Sequence, residues 1–421
     1  MRAVQFSVCA SRFLLARSVG RWSESAVFGL LSGLRLRDLP EQQMPGRGWA
    51  LLRVLGSGIC GSDIANLTYS SSPIMEPFGS FPAVLGHEIL AEVVDVAPGV
   101  SRVSVGDRVS VDPMISCHVR GHEVEASCPS CRIGRHATCE MAGEDGAREI
   151  GATKLSRGLT IGYHRDLPGG WGERMIAHES QLFRMDPRIS SRTGVLIEPL
   201  SIGLHAILNA RLAPEDRILV IGSGPIAFGT IWGLRATGFE GPIVAQTKRA
   251  HEAAIARSLG ATDVVAPGPE ARAALIQTGA LAYQPIVGEE VYSGGGFSRI
   301  FDCVGNAASI DQALRYAAPR ATVVMLGCAA EVRRLDLSLL WARELDVRGF
   351  VCYGMERWRG RTQHTMEITH DLILETGAQL DQLVTHVFPL KEYRHALSAA
   401  YNHRRSEAVK VVLTPTEAGL P

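Results

Sequence analysis

The chain has 421 residues, of which 46% are hydrophobic and 20% are charged, a balance typical of globular rather than disordered or fibrous proteins. This length exceeds what one ordinary core accommodates, so we expect two or three domains. The 43 lysine and arginine residues balance the 43 acidic residues, which leaves no net field to attract nucleic acid or an anionic membrane. We therefore expect small-molecule partners, with neither nucleic acid nor a membrane among them.

The N-terminal segment and the number of cysteines are informative about the cellular compartment of the protein. The first 21 residues are basic, contain serine and lack acids, as mitochondrial transit peptides do. The alternation of residue types over 2–6 favours a first strand instead. The most apolar stretch, 218–234, is shorter than the ~20 residues of a membrane helix. With no secretory signal, nine cysteines indicate a cytoplasmic protein that uses them for metal binding or catalysis.

The residue composition and the pattern of apolar residues change twice along the chain. Residues 1–198 are rich in glycine, proline and short apolar runs, which predicts short strands such as 83–85 and 103–109. Residues 199–352 alternate apolar runs with alanine-rich stretches, the pattern of a parallel sheet covered by helices. Residues 353–421 show mixed signals and are expected to rejoin the first domain.

Within the second domain the predicted elements follow one another in regular order. We expect a long irregular insertion over 266–298, because it is punctuated by three successive glycines. In the last segment, helical spacing around 393–400 precedes a closing strand at 408–413. The remaining elements are a strand at 217–221, a helix at 225–238, strands at 242–246 and 299–303, helical spacing at 310–317 and a strand at 321–326.

Two glycine-containing motifs in the first domain carry potential metal ligands. Cys60 lies in the run 58–63, and His87 is followed directly by Glu88. A catalytic zinc needs three protein ligands and one open position, and a mixture of thiolate, imidazole and carboxylate meets that need. Either Cys60 or His87 alone would more commonly be a buried core residue, but together they indicate a metal site.

A second group of cysteines lies close together in sequence. Cys128 and Cys131 are separated by two residues, with Cys139 after them and Cys117 before them. Four thiolates within a short stretch are typical of structural zinc, and a redox-active pair would need no third and fourth cysteine. The spacing therefore predicts a structural zinc ion.

A phosphate-binding turn is predicted where the second domain begins. The strand that ends at residue 221 is followed by a glycine-rich turn that opens a helix, as in dinucleotide-binding folds. In such a turn the glycines allow a tight bend and close approach to the pyrophosphate, and the helix amides face the phosphates. The turn residues are Gly222, Gly224, Pro225, Ile226 and Ala227.

The end of the next strand bears on which nicotinamide cofactor is used. NAD sites usually place an acidic residue there to hold the ribose hydroxyls. This chain instead has Thr247, Lys248 and Arg249. Two adjacent cations would pair with a 2′-phosphate, which favours NADP(H) over NAD(H), although the same two residues would also suit a solvated loop.

Taken together, the motifs resemble those of the zinc-dependent medium-chain dehydrogenases, the group of alcohol, polyol and threonine dehydrogenases. The resemblance implies an α/β protein with a GroES-like, mostly β catalytic domain and a doubly wound Rossmann domain, assembled as a homodimer or homotetramer. The motifs occur in the order of that family and span most of the chain: 58–63, 85–88, 105–109, the cysteine cluster, 168–170, 198–200, the turn at 222 and 302–305.

The resemblance also assigns roles to individual residues. It makes Cys60 and His87 ligands of a catalytic zinc, with either Glu88 or Glu198 as the third protein ligand. The roles of the other residues follow the family motifs: Ser62 would relay the substrate proton, Asp63 would orient His87, and Val304 and Gly305 would contact the cofactor.

The sequence also departs from the family pattern. Ten residues separate Cys117 from Cys128 where the family usually has two, so His118 or His122 is an alternative zinc ligand. Ala65 stands where a relay histidine is common, and residues 11–33 look longer than usual.

The expected activity is zinc-dependent hydride transfer between NAD(P) and a secondary alcohol, polyol or amino alcohol, or its carbonyl. Two alternatives stay open at this point. One is a zinc-independent quinone or enone reductase of the same superfamily. The other is a catalytically silent, zinc-stabilised binding protein.

Overall fold

A computed structural model describes residues 1–19, 24–29, 32–143, 149–150, 153–327, 331–332 and 335–421 of the chain. Part of the predicted longer stretch at 11–33 lies outside these described residues. The chain divides into two compact units. The first comprises Met1–Glu198 together with Tyr353–Pro421, and the second comprises Pro199–Cys352.

Strands occur in both units. Their bounds are β1 (Arg2–Phe6), β2 (Leu34–Asp38), β3 (Trp49–Gly58), β4 (Ala83–Val84), β5 (Glu88–Val96), β6 (Arg108–Val111), β7 (Glu149–Ile150), β8 (Thr153–Lys154), β9 (Arg174–His178), β10 (Leu182–Arg184), β11 (Ile218–Ile221), β12 (Ile243–Gln246), β13 (Asp263–Val265), β14 (Leu281–Tyr283), β15 (Val291–Ser293), β16 (Phe297–Asp302), β17 (Ala317–Met325), β18 (Asp346–Gly349), β19 (Met355–Trp358), β20 (Arg361–His364), β21 (Val384–Pro389) and β22 (Lys410–Thr414).

Most helices are short. No helix in the described part of the chain is long and apolar enough to cross a bilayer. The bounds are α1 (Ala10–Val19), α2 (Glu24–Val27), α3 (Gly61–Leu67), α4 (Pro129–Arg132), α5 (Ser191–Asn209), α6 (Pro225–Ala236), α7 (Ala250–Ser258), α8 (Pro269–Gln277), α9 (Ala307–Tyr316), α10 (Ser338–Ala342), α11 (Thr365–Thr376), α12 (Tyr393–Tyr401) and α13 (His403–Ser406).

The first unit is built around a largely antiparallel sheet. Among the described residues its strand order is β10-β6-β5-β3-β22-β21, and β9 pairs with β3 as well. Apolar residues of β3, β5 and β6, among them Trp49, Val93 and Val109, belong to one buried core. A smaller sheet of order β2-β1-β4 carries the first strand, so the prediction of a strand over 2–6 is confirmed.

Close backbone packing fixes the segment that leads from β4 into β5. The amide of Gly169 donates to the carbonyl of Val84, and the amide of Gly170 donates to the carbonyl of Gly86, both at 2.9 Å. A Cβ atom on Gly169 would lie 2.2 Å from the Gly86 oxygen, so only glycine fits there. This packing holds the backbone just before His87 in one position.

The second unit is a parallel sheet with helices between its strands. The order of its strands within the described residues is β13-β12-β11-β16-β17-β18. Buried residues such as Val220 and Phe301 occupy the central strands, which reads in sequence as short continuous apolar runs. Strands β12 and β13 follow outward on the side of β11, and strands β17 and β18 follow outward on the side of β16. The chain thus adds strands in both directions from the centre of the sheet, as a doubly wound fold requires, so the predicted fold class is confirmed.

The prediction of an irregular insertion over 266–298 is wrong. The segment contains helix α8 and a hairpin of β14 and β15. Helix α8 buries Ala271, Ala274 and Leu275, a spacing of three and four residues that the flanking glycines and prolines obscured in the sequence.

Two predicted element boundaries also need correction. Residues 103–107 form a turn in which the Asp107 carboxylate accepts the backbone N–H of Ser104, and the strand begins only at Arg108. Ala317 begins strand β17 instead of ending helix α9, which stops at Tyr316. Polar turn chemistry decides the first boundary, and sheet pairing decides the second.

Candidate functional site

The turn between β3 and α3 positions Cys60. Cys60 precedes the first residue of α3, and its backbone N–H donates to Asp63 Oδ2 at 2.9 Å. This contact resembles a capping box, in which a side chain from the first helical turn reaches back to the residue before the helix. It ties the direction of the Cys60 side chain to the start of the helix.

Strand pairing brings the second motif beside the first. Gly58 of β3 lies opposite Glu88 of β5 in the antiparallel register. A Cβ atom on Gly58 would lie 1.8 Å from Glu88 Oε2, so glycine is required for this carboxylate to occupy its place. One ligand atom each from Cys60, His87 and Glu88 lie within 4.8 Å of one another. Three of the predicted zinc ligands therefore meet.

Asp63 lies behind His87. Its side chain is completely buried, and its Oδ1 atom lies 3.5 Å from Nδ1 of His87. Burial opposes protonation of His87, but the neighbouring Asp63 carboxylate and the Cys60 sulfur outweigh it and hold the pKa of His87 well above its ordinary value. The imidazole is thus held by an anionic environment of the kind that also attracts a metal cation.

Glu88 forms a buried ion pair that the sequence did not predict. Lys410 Nζ on β22 lies 2.5 Å from Oε1 and 2.6 Å from Oε2 of Glu88, and it also donates to the carbonyl of Ile59. Burial opposes protonation of Lys410, yet Glu88 and Cys60 raise its pKa above the ordinary value. Lys410 therefore supplies a permanent positive charge beside the cluster.

Glu198 lies near this cluster but is held separately. Among the described residues, its carboxylate is not one of the ligand atoms that meet within 4.8 Å. Its Oε1 atom accepts a hydrogen bond of 3.0 Å from the hydroxyl of Tyr353. Burial raises the pKa of Glu198 to about 7, with His87 opposing that shift and Glu88 adding to it.

A tyrosine that the sequence reasoning missed joins Ser62 to Asp63. The hydroxyl of Tyr163 lies 3.0 Å from Ser62 Oγ and 2.8 Å from Asp63 Oδ1. Burial, with the neighbouring Asp63 and Cys60, raises the pKa of Tyr163 well above its ordinary value, so its hydroxyl stays protonated. Tyr163 is about 100 residues from its partners in sequence, and no local pattern marks it.

The four clustered cysteines have the geometry of a metal site. Their sulfur atoms all lie within 4.8 Å of one another, with 3.7 Å between Cys117 and Cys139 and 4.0 Å between Cys128 and Cys139. Two thiolates bound to one tetrahedral zinc lie about 3.8 Å apart, which follows from Zn–S bonds of about 2.3 Å. A disulfide would need about 2 Å. The four sulfurs therefore fit a shared zinc ion.

Although ten residues separate Cys117 from Cys128, the sulfur of Cys117 still belongs to the cluster of four. In the described part of the chain, neither His118 nor His122 contributes an atom to the sulfur cluster. Backbone N–H groups also point at the sulfurs, for example that of Cys128 at Cys117 Sγ and that of Cys131 at Cys128 Sγ. Such donors stabilise thiolates.

The predicted phosphate-binding turn lies at the carboxyl end of β11. Gly222 has a φ of +126°, which only glycine adopts readily. Gly224 precedes α6, Pro225 is its first residue, Ile226 follows, and Ala227 is fully buried against the sheet. A Cβ atom on Gly224 would meet nothing within 4 Å, so the backbone faces open space. The geometry suits a phosphate at the start of α6.

A second loop lies beside this turn, because β16 pairs in parallel with β11. Asp302 is buried, and its Oδ1 atom accepts the backbone N–H groups of Val304 and Gly305 at 2.9 and 3.1 Å. The side chain of Val304 is 41% exposed next to Gly222. The motif residues 304 and 305 thus lie at the same edge of the sheet as the glycine turn.

The loop after β12 contains an acidic partner that the sequence reasoning overlooked. Thr247 is buried, whereas Lys248 is exposed. Arg249 Nη1 lies 2.6 Å from Glu252 Oε1, and the other oxygen of Glu252 accepts the backbone N–H of Lys248 at 2.9 Å. Glu252 is 4% exposed and neutralises much of the charge of Arg249.

Comparisons with known proteins agree with this arrangement. Residues 46–187 match the family model described as "Alcohol dehydrogenase GroES-like domain", and residues 225–367 match the one described as "Zinc-binding dehydrogenase". The chain is 27% identical over 351 residues to L-galactonate-5-dehydrogenase of Escherichia coli (strain K12), covering 82% of this chain and 89% of the relative. It is 27% identical over 387 residues to sorbitol dehydrogenase of Gallus gallus, covering 90% and 93%.

A solved structure shares the fold. The crystal structure of 2R,3R-butanediol dehydrogenase from Bacillus subtilis superposes with a TM-score of 0.68 at 23% identity, covering 91% of this chain and 96% of that one. The two family models and the named relatives support neither a zinc-independent reductase nor a silent binding protein. The chain is an oxidoreductase of the alcohol and polyol dehydrogenase type, with zinc and a nicotinamide dinucleotide as cofactors and a small alcohol or carbonyl compound as substrate. It belongs to the zinc-type medium-chain dehydrogenase/reductase family.

Proposed function

We propose that the chain interconverts a secondary alcohol, polyol or amino alcohol and its carbonyl, and that NADP(H) is the preferred cofactor. The observation that carries the proposal is the meeting of Cys60, His87 and Glu88 within 4.8 Å, beside the hydrogen bonds that join Ser62 and Tyr163. The relatives named for sorbitol and L-galactonate favour a polyhydroxylated substrate.

In this proposal Cys60, His87 and Glu88 hold the catalytic zinc, and Glu198 does not. The Nδ1 atom of His87 faces Asp63, which leaves Nε2 as the ligand atom. Lys410 contacts both oxygens of Glu88, but a carboxylate has about four lone-pair sites, so ligation stays possible. The Cys60 thiolate and the Glu88 carboxylate bring two negative charges to the dication, and Lys410 offsets one of them. Cys117, Cys128, Cys131 and Cys139 hold the structural ion.

Residues of the chain itself accept the proton of the substrate hydroxyl and pass it on. When bound, zinc supplies a Lewis acid for the substrate oxygen, and the nicotinamide accepts or donates the hydride. The Tyr163 hydroxyl lies within donating distance of both Ser62 Oγ and Asp63 Oδ1. When its proton is directed at Asp63, its oxygen accepts the hydroxyl proton that Ser62 releases on taking up the substrate proton. Tyr163 passes its own proton to Asp63 Oδ1, 2.8 Å away, in the same step, so the phenol stays neutral and the Asp63 carboxylate takes up the proton.

Tyr163 compensates in this scheme for the absent relay histidine at Ala65. Because its pKa lies well above the ordinary value, Tyr163 takes up one proton as it passes on another, and it does not ionise. Asp63, fully buried, orients the phenol and the imidazole together.

On the cofactor side, Lys248 is the residue we assign to the 2′-phosphate. It is exposed at the end of β12, where the sequence has no carboxylate to hold a ribose hydroxyl. Arg249 contributes less, because Glu252 already pairs with it. Gly222, Gly224, Pro225, Ile226 and Ala227 would contact the pyrophosphate, and Thr247, Val304 and Gly305 would border the remaining cofactor.

Two further expectations stay predictions. A homodimer or homotetramer follows from the family resemblance, and a cytoplasmic location is consistent with a cluster of four thiols that must remain reduced to bind zinc. The described cysteines form no disulfide.

The proposed activity is tested by a panel of secondary alcohols, polyols and amino alcohols with either cofactor, followed by the absorbance of reduced nicotinamide. We expect turnover with at least one class. Cys60→Ser should lower kcat/KM at least about hundredfold, because the Lewis acid contributes several kcal/mol, and should remove one zinc ion relative to the wild type. The exposed Cys9→Ser is the matched control. Full activity in Cys60→Ser would refute the assignment.

The choice between the two carboxylates is tested by zinc content. Glu88→Gln is combined with Lys410→Met, because an unpaired buried charge alone would cost about 3–5 kcal/mol of stability. We expect this double variant to hold one zinc fewer than the wild type and Glu198→Gln to hold the full number. The reverse pattern would make Glu198 the ligand, and full zinc in both variants would exclude both carboxylates.

The role of Tyr163 is tested by Tyr163→Phe. Loss of the hydroxyl should lower kcat about 10- to 100-fold with little change in KM or zinc content, since assisted proton transfer contributes on that scale. Tyr69→Phe serves as the control because its ring belongs to the same apolar cluster. Unchanged kcat in Tyr163→Phe would show that the proton leaves by another route.

Cofactor preference is tested by Michaelis constants for NADP and NAD. Lys248→Ala should raise KM for NADP about tenfold and leave KM for NAD unchanged, because one charge-assisted hydrogen bond is lost. Arg257→Ala, an exposed cation on the last turn of α7, is the control. A wild-type enzyme that prefers NAD strongly would overturn the choice of NADP(H).

A further inference from the structure

A third cluster of potential metal ligands lies in the first unit, outside both sites described above. Asp112 follows β6, His136 begins a short 3₁₀ helix at His136–Thr138, and His364 ends β20. One ligand atom from each lies within 4.8 Å of the other two. Asp112 and His364 are 3% and 4% exposed, so their polar atoms need partners inside the protein.

The distance between the two buried members is informative. His364 Nε2 lies 3.4 Å from Asp112 Oδ2, beyond the usual 2.7–3.2 Å of a hydrogen bond. Nε2 has no hydrogen-bond partner among the described residues. Two ligands of one tetrahedral ion, each about 2.1 Å from it, lie about 3.4 Å apart. The separation therefore matches shared coordination better than a direct hydrogen bond.

Neighbouring groups fix the orientation of both buried side chains. Asp112 Oδ1 accepts the backbone N–H of Met114 at 2.7 Å, which leaves Oδ2 directed at the histidine. The ring of His364 stacks on Phe183 with centroids 4.5 Å apart. Metal ligands are commonly held in this way by contacts outside the coordination sphere.

The half-buried His136 completes the set. Burial lowers its pKa, with Asp112 opposing the shift and His364 and His118 adding to it. The neutral imidazole present at pH 7 has a lone pair available for a cation. Two imidazoles and one carboxylate are ligands for divalent transition metals, whereas calcium and magnesium prefer oxygen alone.

We propose that Asp112, His136 and His364 form a third metal site, which binds Zn²⁺ or a similar divalent transition cation. In the structure, Nδ1 of His364 accepts the backbone N–H of Met366 at 3.3 Å. When Nε2 binds an ion, the ring proton resides on Nδ1, so this one long hydrogen bond is lost. In exchange, the ion links the segment between Cys131 and Cys139, which contains His136, to β20 and α11, more than 200 residues later in the sequence.

The proposal is tested on the full-length enzyme by measuring metal content after equilibration with Zn²⁺ and gel filtration. His136→Gln removes the most exposed ligand. His364→Asn removes another but keeps an oxygen that can accept the Met366 N–H at the start of α11. Each variant should hold one zinc fewer than the wild type, and His395→Gln, a surface histidine, should match the wild type.

A Co²⁺ titration keeps the test decisive if a variant fails to fold. It uses wild type gel-filtered without added Zn²⁺ and shown to hold two zinc ions per chain, so that only the two cysteine-containing sites are filled. Cobalt at a site with nitrogen and oxygen ligands should give saturable visible absorption without the near-ultraviolet bands of thiolate ligation. His136→Gln should abolish that signal. Equal zinc content in all four proteins, or no saturable cobalt signal in the wild type, would overturn the proposal.

Discussion

The candidate site depends on one buried carboxylate. Asp63 has no exposed surface, so its charge is tolerable only because several groups compensate for the lost water. It accepts hydrogen bonds from the Cys60 backbone and the Tyr163 hydroxyl, and it faces Nδ1 of His87. A single side chain thereby fixes the thiol, the phenol and the imidazole relative to one another, and the contact with Ser62 follows from the position of Tyr163.

Features encoded by neighbouring residues were predictable from the sequence. The turn at Gly222 is recognisable because the strand, the glycines and the helix follow one another directly. Similarly, the short spacing of Cys128, Cys131 and Cys139 indicates a shared ion. Cys117, predicted as the fourth thiolate with a nearby histidine as the alternative, lies in the same cluster in spite of its long spacer.

Features that arise from distant contacts were not predictable. Lys410 lies 322 residues from Glu88, and Tyr163 about 100 residues from Ser62, so no periodicity or spacing connects them. Glu252 was missed for a different reason. The NAD pattern places an acidic residue at the end of the strand, whereas Glu252 lies in the first turn of α7 and pairs with Arg249. Its presence reduces the charge available to a cofactor phosphate.

The pairing of Glu88 with Lys410 also constrains the order of biosynthesis. Strand β22, which carries Lys410, pairs with β3 and belongs to the same unit as the first 198 residues. During translation the ribosome must therefore synthesise the whole parallel-sheet unit before the lysine exists to neutralise Glu88. Until then Ser57 and Gly58 of β3 lack their partners on β22, and Glu88 lacks its lysine.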